Sequence, residues 1–254
     1  MRARSLVVAS VLCVASALAA PPLRAQAADP KAAALADRVM EALGGADAWN
    51  KTRYLRFDFA VDRGGQTVVR RSHSWDKWTG RYRLEGTTRE AQPFVVLMNL
   101  NTRDGRAWLE GKPLTGEPAA KQLEQAYATW VNDTYWLLMP YKMKDPGVFL
   151  ALDGEEKRGD EAWDKLRLSF DNVGLTPKDR YWAYVNRKTG LVDRWDYVLK
   201  GESKPPTSFT WLNWKRHGRI MLSDDRHNAK DGTRIHFPVL EVPDALADAV
   251  FATP

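Results

Sequence analysis

Histidines and carboxylates are the side chains of this sequence that could perform acid–base chemistry or hold a metal. No two histidines lie four residues apart on a predicted helix, and no HExxH motif occurs. The stretch 224–236, DDRHNAKDGTRIH, combines two histidines with several acids across a predicted turn. Its spacing matches no zinc or calcium pattern, so we interpret His227 and His236 as surface residues and expect no metal.

Covalent catalysis has equally little support in the sequence. There is no GxSxG motif, no glycine-rich phosphate loop, and only one cysteine, Cys13. Carboxylates are plentiful, but nothing pairs two of them as an acid and a base. We therefore expect a non-catalytic protein without a cofactor. A hydrolase that acts on an envelope component through His227 or His236 stays open as an alternative.

The first residues resemble an export signal. Arg2 and Arg4 precede an apolar run at 6–20, which is too short to span a bilayer comfortably. Ala25 and Ala27 frame an Ala-x-Ala cleavage site. We predict that 1–27 is a signal peptide and that the protein is periplasmic.

The remainder, 28–254, is long enough for one large domain, and no break in composition divides it. The formal charge of the whole chain is +6, but Arg2, Arg4 and Arg24 lie in the predicted signal, which contains no acid. The remaining charge, about +3, is too small to indicate a nucleic-acid partner. With Cys13 removed, the domain depends on packing and hydrogen bonds alone. Its eleven tryptophans suit both deep cores and binding clefts.

Two segments have the spacing of amphipathic helices. The first is 31–44, with Asp29 as a cap and two glycines at its end. The second is 117–138, which ends before Pro140. The tail, 242–251, is expected to contain a short terminal helix.

Most of the other segments alternate apolar and polar residues, the pattern of half-buried strands, and short turns between them indicate antiparallel pairing. The charged run DGEEKRGDE, 153–161, is interpreted as a solvated loop. The predicted strands are 54–62, 67–78, 81–86, 94–100, 106–111, 148–152, 163–170, 180–187, 191–200, 207–215, 218–224 and 233–238.

The segment NDTYWLLMPYKMKDPGV, 132–148, is unusually rich in aromatic and aliphatic side chains. At 135–139 these side chains cover almost every direction around the helix axis, so this helix end must be enclosed on all sides. It is either ordinary core or the wall of an apolar cavity left by a curved sheet.

The motifs TYWLLMPYKMKDPGV (134–148) and ALGGADAWNKTRYLRFDF (42–59) resemble elements of exported, uncharacterised members of the LolA, LolB and LppX-like lipoprotein-carrier superfamily. The resemblance implies an α+β fold, an incomplete antiparallel barrel of about 11–12 strands curled around a central helix. It also implies an apolar interior that holds lipid or acyl chains. The central helix here ends in a Trp-Leu-Leu-Met-Pro turn that does not match the lid of the well-known carriers.

These observations favour an exported, soluble monomer that binds a lipid or an acylated protein and contacts membrane surfaces transiently. Lys142 and Lys144 would either meet anionic head groups at the rim or serve only solubility. The main alternative is an envelope interaction module whose aromatic residues form sealed core and whose edge strand receives a partner. The residues predicted to line the cavity are Trp75, Trp108, Tyr135, Trp136, Leu138, Met139, Tyr184, Trp195 and Trp211.

Overall fold

The computed structural model describes residues 29–171, 178–202 and 204–254, and the predicted signal peptide lies outside these ranges. None of the helices within them combines the length and apolar character needed to cross a bilayer. The helices of the described ranges are α1 (Pro30–Ala42), α2 (Gly45–Lys51), α3 (Gly116–Leu138), the 3-10 helix Met139–Lys142 and α4 (Ala249–Ala252).

Fourteen strands in the described ranges form one sheet, and all twelve predicted strands are among them. The two additional strands, β6 and β14, have only two residues each and are too short to show a sequence period. The strands are β1 (Tyr54–Arg63), β2 (Gln66–Asp76), β3 (Arg81–Thr87), β4 (Pro93–Asn99), β5 (Gly105–Leu109), β6 (Lys112–Pro113), β7 (Val148–Arg158), β8 (Glu161–Phe170), β9 (Arg180–Asn186), β10 (Val192–Val198), β11 (Thr207–His217), β12 (Ile220–His227), β13 (Arg234–His236) and β14 (Leu240–Glu241).

The sheet is antiparallel and open, as the sequence predicts. Its strand order is β6-β5-β4-β3-β2-β1-β13-β12-β11-β10-β9-β8-β7, with β14 paired to β1. The two ends of this order, β6 and β7, do not pair with each other, and α3 connects them along the chain. The architecture is therefore an incomplete antiparallel barrel around a central helix, since a sheet of this width twists and curls.

The interpretation of 153–161 as a loop is wrong. Strand β7 continues to Arg158, and β8 begins at Glu161. Charged residues of this run form ion pairs: Glu156 accepts two hydrogen bonds from Arg194 on β10, a strand that is not adjacent to β7. A charged run does not by itself indicate a loop, because edge strands commonly carry charged side chains on their solvent face.

The connection between α1 and α2 depends on a glycine. Gly44 has φ of +113°, and a Cβ built there would lie 2.7 Å from the carbonyl oxygen of Arg219. Any other residue would strain the backbone and collide with the turn before β12. At the opposite end of α1, Asp29 caps the helix as predicted, with its Oδ1 accepting from the backbone nitrogens of Lys31 and Ala32.

Helix α3 lies between two apolar clusters on the concave face of the sheet. Its middle, at Ala126, packs against β3, β4 and β5. Its end, with Leu137, Leu138 and Met139, is buried in the larger cluster with α1 and strands β8 to β12. The expectation that this helix end is enclosed on all sides is met only in part, because Leu137, Leu138 and Met139 are buried whereas Tyr135 and Trp136 are half-buried.

Candidate ligand-binding cavity

A cavity of about 520 Å³ opens beside the second half of α3 and the turn that follows it. This volume is within the range typical of small-molecule sites. Seven of its lining residues are aromatic. The lining comprises Trp130, Val131, Asn132, Thr134, Tyr135, Trp136, Lys142, Asp145, Pro146, Val148, Phe170, Asp179, Tyr181, Trp195, Tyr197 and Leu199.

The aromatic wall comes from β8, β9 and β10, and it faces α3. Tyr181 and Tyr197 are direct partners in the register between β9 and β10. Trp195 lies two residues from Tyr197 on the same face, and its ring centroid is 4.6 Å from that of Trp136 on α3. Tyr135 completes the contact, with its ring 5.4 Å from Tyr181. Edge-to-face and tilted pairs of this kind hold the rings in defined positions.

The mouth of the cavity is more polar than its wall. Lys142 donates to Asp145, and both side chains are substantially exposed. Tyr181 donates its hydroxyl proton to Asp179 Oδ2 at 3.1 Å. Leu199, 43% exposed, also lines the cavity. A bound molecule would therefore meet an apolar interior and a charged, solvent-accessible rim.

The phenol groups of the wall are uncharged at neutral pH. Burial raises the pKa of Tyr135 well above its ordinary value. It also raises the pKa of Tyr181 and of Tyr197. The interior of the cavity consequently presents aromatic surface and neutral hydroxyls.

A buried ion pair fixes α3 to the sheet next to the cavity. Asp133, fully buried, accepts from Arg71 Nε at 2.7 Å and from Arg71 Nη2 at 2.8 Å. Burial acts to raise the pKa of Asp133, but hydrogen bonds from His73 and Arg71 outweigh it and lower the pKa. The neighbours Asn132 and Thr134 line the cavity, so this pair sets the position of that part of the wall.

His73 belongs to the same buried cluster. Its Nε2 lies 3.1 Å from Asp133 Oδ2, and its Nδ1 lies 2.7 Å from the Tyr82 hydroxyl. Burial is the main cause that lowers the pKa of His73. The neutral tautomer with a proton on Nε2 satisfies both contacts, since Nε2 then donates to Asp133 while Tyr82 donates to Nδ1.

The stability of the protein is expected to fall as the pH drops from about 7.5 to about 5. Because the native pKa of His73 is depressed, the unfolded chain binds a proton near its ordinary pKa of about 6.5 while the native state does not. The loss approaches at most about 1.4 kcal/mol per pH unit for one proton. Urea titrations across this range measure it, and His73→Gln should show a shallower slope. If the unfolding free energy of His73→Gln depends on pH as steeply as that of the unaltered protein, a group other than His73 causes the dependence.

The nine residues predicted to line the cavity fall into three groups. Tyr135, Trp136 and Trp195 line it. Tyr184 and Trp108 lie on the opposite face of the sheet, because their strand neighbours Ala183 and Ala107 are the ones that pack inward. The remaining four lie in the apolar core around the cavity: Trp75, Leu138, Met139 and Trp211.

Four aromatic lining residues were not predicted from the sequence: Trp130, Phe170, Tyr181 and Tyr197. The sequence of β9 contains a usable signal, because Tyr181 shares a strand face with two apolar residues, Ala183 and Val185. The other face carries Tyr184 together with Trp182 and Asn186, and the cross-strand partners of Tyr184 are Lys165 and Arg194. The apolar face of a strand indicates the inward direction, so Tyr181 was the better choice.

The histidines of the alternative hydrolase do not converge on the cavity. His227 Nε2 lies 3.2 Å from Asp225, and His236 Nε2 lies 3.0 Å from Asp62. Both histidines are on the face of the sheet away from α3. Their strand neighbours Arg226 and Ile235 are direct partners in the register, and Ile235 belongs to the inward-facing apolar cluster. Within the described ranges, no group of three or more potential ligands could hold a metal.

A second, smaller cavity of about 300 Å³ lies on the other side of Val148, between α1 and β7. Its lining includes Lys144 and Arg167. The two lysines predicted at one rim therefore belong to different cavities. Each is paired with an acid, Lys142 with Asp145 and Lys144 with Asp37.

The architecture is similar to that of solved structures with low sequence identity. A LolA superfamily protein from Nitrosomonas europaea superposes with a TM-score of 0.51 and 12% identity, covering 87% of this chain and 96% of that protein. The chain has a LolA-like fold. A DUF1329 family protein from Desulfovibrio piger gives a TM-score of 0.50 and 14% identity over the same shares of the two chains. No protein-family model and no curated protein matches the sequence.

Proposed function

We propose that this LolA-like protein is an exported, non-catalytic carrier that holds a hydrophobic ligand, a lipid or the acyl chain of a lipoprotein. The observation that supports this most directly is the cavity of about 520 Å³ with seven aromatic residues in its wall. Export rests on the predicted signal peptide at 1–27. The similarity of the fold to that of the LolA superfamily protein from Nitrosomonas europaea supports the proposal.

Affinity would come from apolar burial, at about 25 cal/mol per Å² of surface removed from water. The charged pair of Lys142 and Asp145 at the mouth would stay hydrated while the tail of the ligand lies inside. No bond is made or broken, and release requires only that the ligand meets a more favourable apolar environment. A cavity without convergent catalytic groups can therefore bind and release a ligand.

Purified protein is expected to carry lipid that native mass spectrometry detects, and to bind a fluorescent fatty acid such as cis-parinaric acid. A homogeneous ligand-free mass together with no binding of the probe would contradict the proposal. In that case the aromatic residues would serve as scaffold. The interaction module, which offers the free edge of β7 to a partner strand, would then be the better hypothesis.

Val131→Trp is expected to weaken binding of the probe at least tenfold. Val131 lines the cavity from α3, so an indole at this position would occupy the space that the ligand needs. Fluorescence titration measures the affinity. Gln125→Trp, an exposed position on the same helix, is the matched control and should change it less than twofold. Equal affinity in both variants would place the ligand outside this cavity.

A further inference from the structure

Arg226 is a fully buried cation in an apolar part of the barrel. In the antiparallel register it lies between Trp211 on β11 and Ile235 on β13, both in the main apolar cluster, so its side chain faces the interior. Its exposure is 0%. Burial of a charge costs several kcal/mol unless a partner compensates it.

The protein satisfies this guanidinium only in part. Nη1 donates to the carbonyl oxygen of Ser223 at 2.8 Å. The central carbon lies 4.0 Å from the ring centroid of Trp211 and 4.8 Å from that of Phe237. Among the described residues, neither Nε nor Nη2 has a hydrogen-bond acceptor.

Arg226 nevertheless keeps its charge at neutral pH. Burial lowers its pKa to about 9, against the attraction of Asp224 and Asp225. Those two acids are engaged by other cations, Asp224 by Lys215 and Asp225 by Arg234. They contribute an electrostatic attraction, and the free donors of Arg226 still lack an acceptor.

Two tryptophans connect Arg226 to the cavity by direct ring contacts, and both have an unused hydrogen-bond donor. The indole nitrogens of Trp195 and Trp211 are buried and, within the described ranges, have no acceptor. The two rings are 5.6 Å apart, and Trp195 lines the cavity. Among the described residues the buried indole nitrogens of Trp75 and Trp130 also lack an acceptor, whereas the indoles of Trp163 and Trp182 donate to Asp193 and Asp153.

We propose that Arg226 is the counter-ion for a ligand with an anionic oxygen head group, a carboxylate in the simplest case. This rests on the proposed function and specifies its ligand class. All the unused groups in this path are donors, so the missing partner must supply acceptors. The head group accepts from Nε and Nη2 behind the indoles of Trp195 and Trp211, and the hydrocarbon tail occupies the cavity. The two indoles are each 1% exposed and pack edge to face, so they must move apart to admit the head group. A guanidinium favours such a two-point contact with a carboxylate.

The test uses three probes with the same twelve-carbon tail: dodecanoate, dodecanol and dodecyltrimethylammonium. Isothermal titration calorimetry of the full mature chain is expected to show that dodecanoate binds at least tenfold more tightly than dodecanol, and the cation most weakly. In Arg226→Met, which removes the charge but keeps a long side chain, dodecanoate and dodecanol should bind with equal affinity. Removal of a buried unpaired charge should not impair folding.

Lys142→Met is the matched control, because Lys142 is the cation at the mouth of the same cavity. It should retain the preference for dodecanoate. Loss of the preference in Lys142→Met with retention in Arg226→Met would overturn the proposal and place the head group at the rim. If Arg226→Met does not fold, equal affinities of the unaltered protein for dodecanoate and dodecanol overturn it equally well. Failure of all three probes to bind would reject the carrier function itself.

Discussion

Replacement of Arg71 by methionine is expected to lower the free energy of unfolding by about 3–5 kcal/mol. Arg71 provides two hydrogen bonds to the carboxylate of Asp133, whose side chain is 0% exposed. Without Arg71 the carboxylate stays buried with two neutral donors, His73 and the side-chain amide of Asn132, and no cation. A buried charge that has lost its partner is among the most destabilising changes a single substitution can make.

Urea-induced unfolding at pH 7.5 measures this loss, with two comparisons. Arg56→Met breaks an ion pair with Glu241 in which both side chains are about half exposed, so it should cost less than about 1 kcal/mol. Adding Asp133→Asn to Arg71→Met removes the unpaired charge and should restore more than half of the loss. If Arg71→Met is as mild as Arg56→Met, the ion pair does not anchor α3.

Trp195→Ala is expected to be almost as destabilising, by about 3–5 kcal/mol. The Trp195 side chain is 1% exposed and packs against aromatic rings from α3 and from both neighbouring strands. Its ring centroid lies 4.6 Å from Trp136, 5.2 Å from Tyr181 and 5.6 Å from Trp211. Truncation would leave a void that these rings can fill only in part.

Trp182→Ala is the matched control for this substitution. Trp182 is on the adjacent strand but on the opposite face, where its indole donates to Asp153. We expect a loss of about 1 kcal/mol or less there. Free indole should stabilise Trp195→Ala against thermal unfolding, because an apolar void of this kind binds a ligand of matching shape. No effect of indole, with a small loss in Trp195→Ala, would mean that the wall collapses into the cavity.

Much of the fold follows from local features of the sequence. Alternation such as Leu55, Phe57, Phe59 specifies a strand within a few residues, and short turns between strands specify antiparallel neighbours. The cap at Asp29 and the break before Pro140 mark helix ends in the same local way. These signals act over distances that a single segment contains, so the twelve principal strands and α3 were predictable.

The inward face of each strand was harder to predict, because a shift of one residue exchanges the two faces. From the sequence, Tyr184 is predicted at the cavity, whereas Tyr181 is the residue of β9 that lines it. Likewise the aromatic residues of 132–148 indicated an enclosed helix end but could not separate core from cavity wall. Leu138 is in the core, and Trp136, two residues earlier, is at the wall.

Only the tertiary structure brought together groups that are distant in the chain. Arg71 and Asp133 are 62 residues apart, and their pairing depends on how α3 crosses the sheet. The position of Arg226 behind the indoles, and the volume left beside α3, depend in the same way on the packing of many segments at once. Local sequence determined which segments form strands and helices, and long-range packing decided which side chains meet, because contact across the barrel carries no signature within either segment.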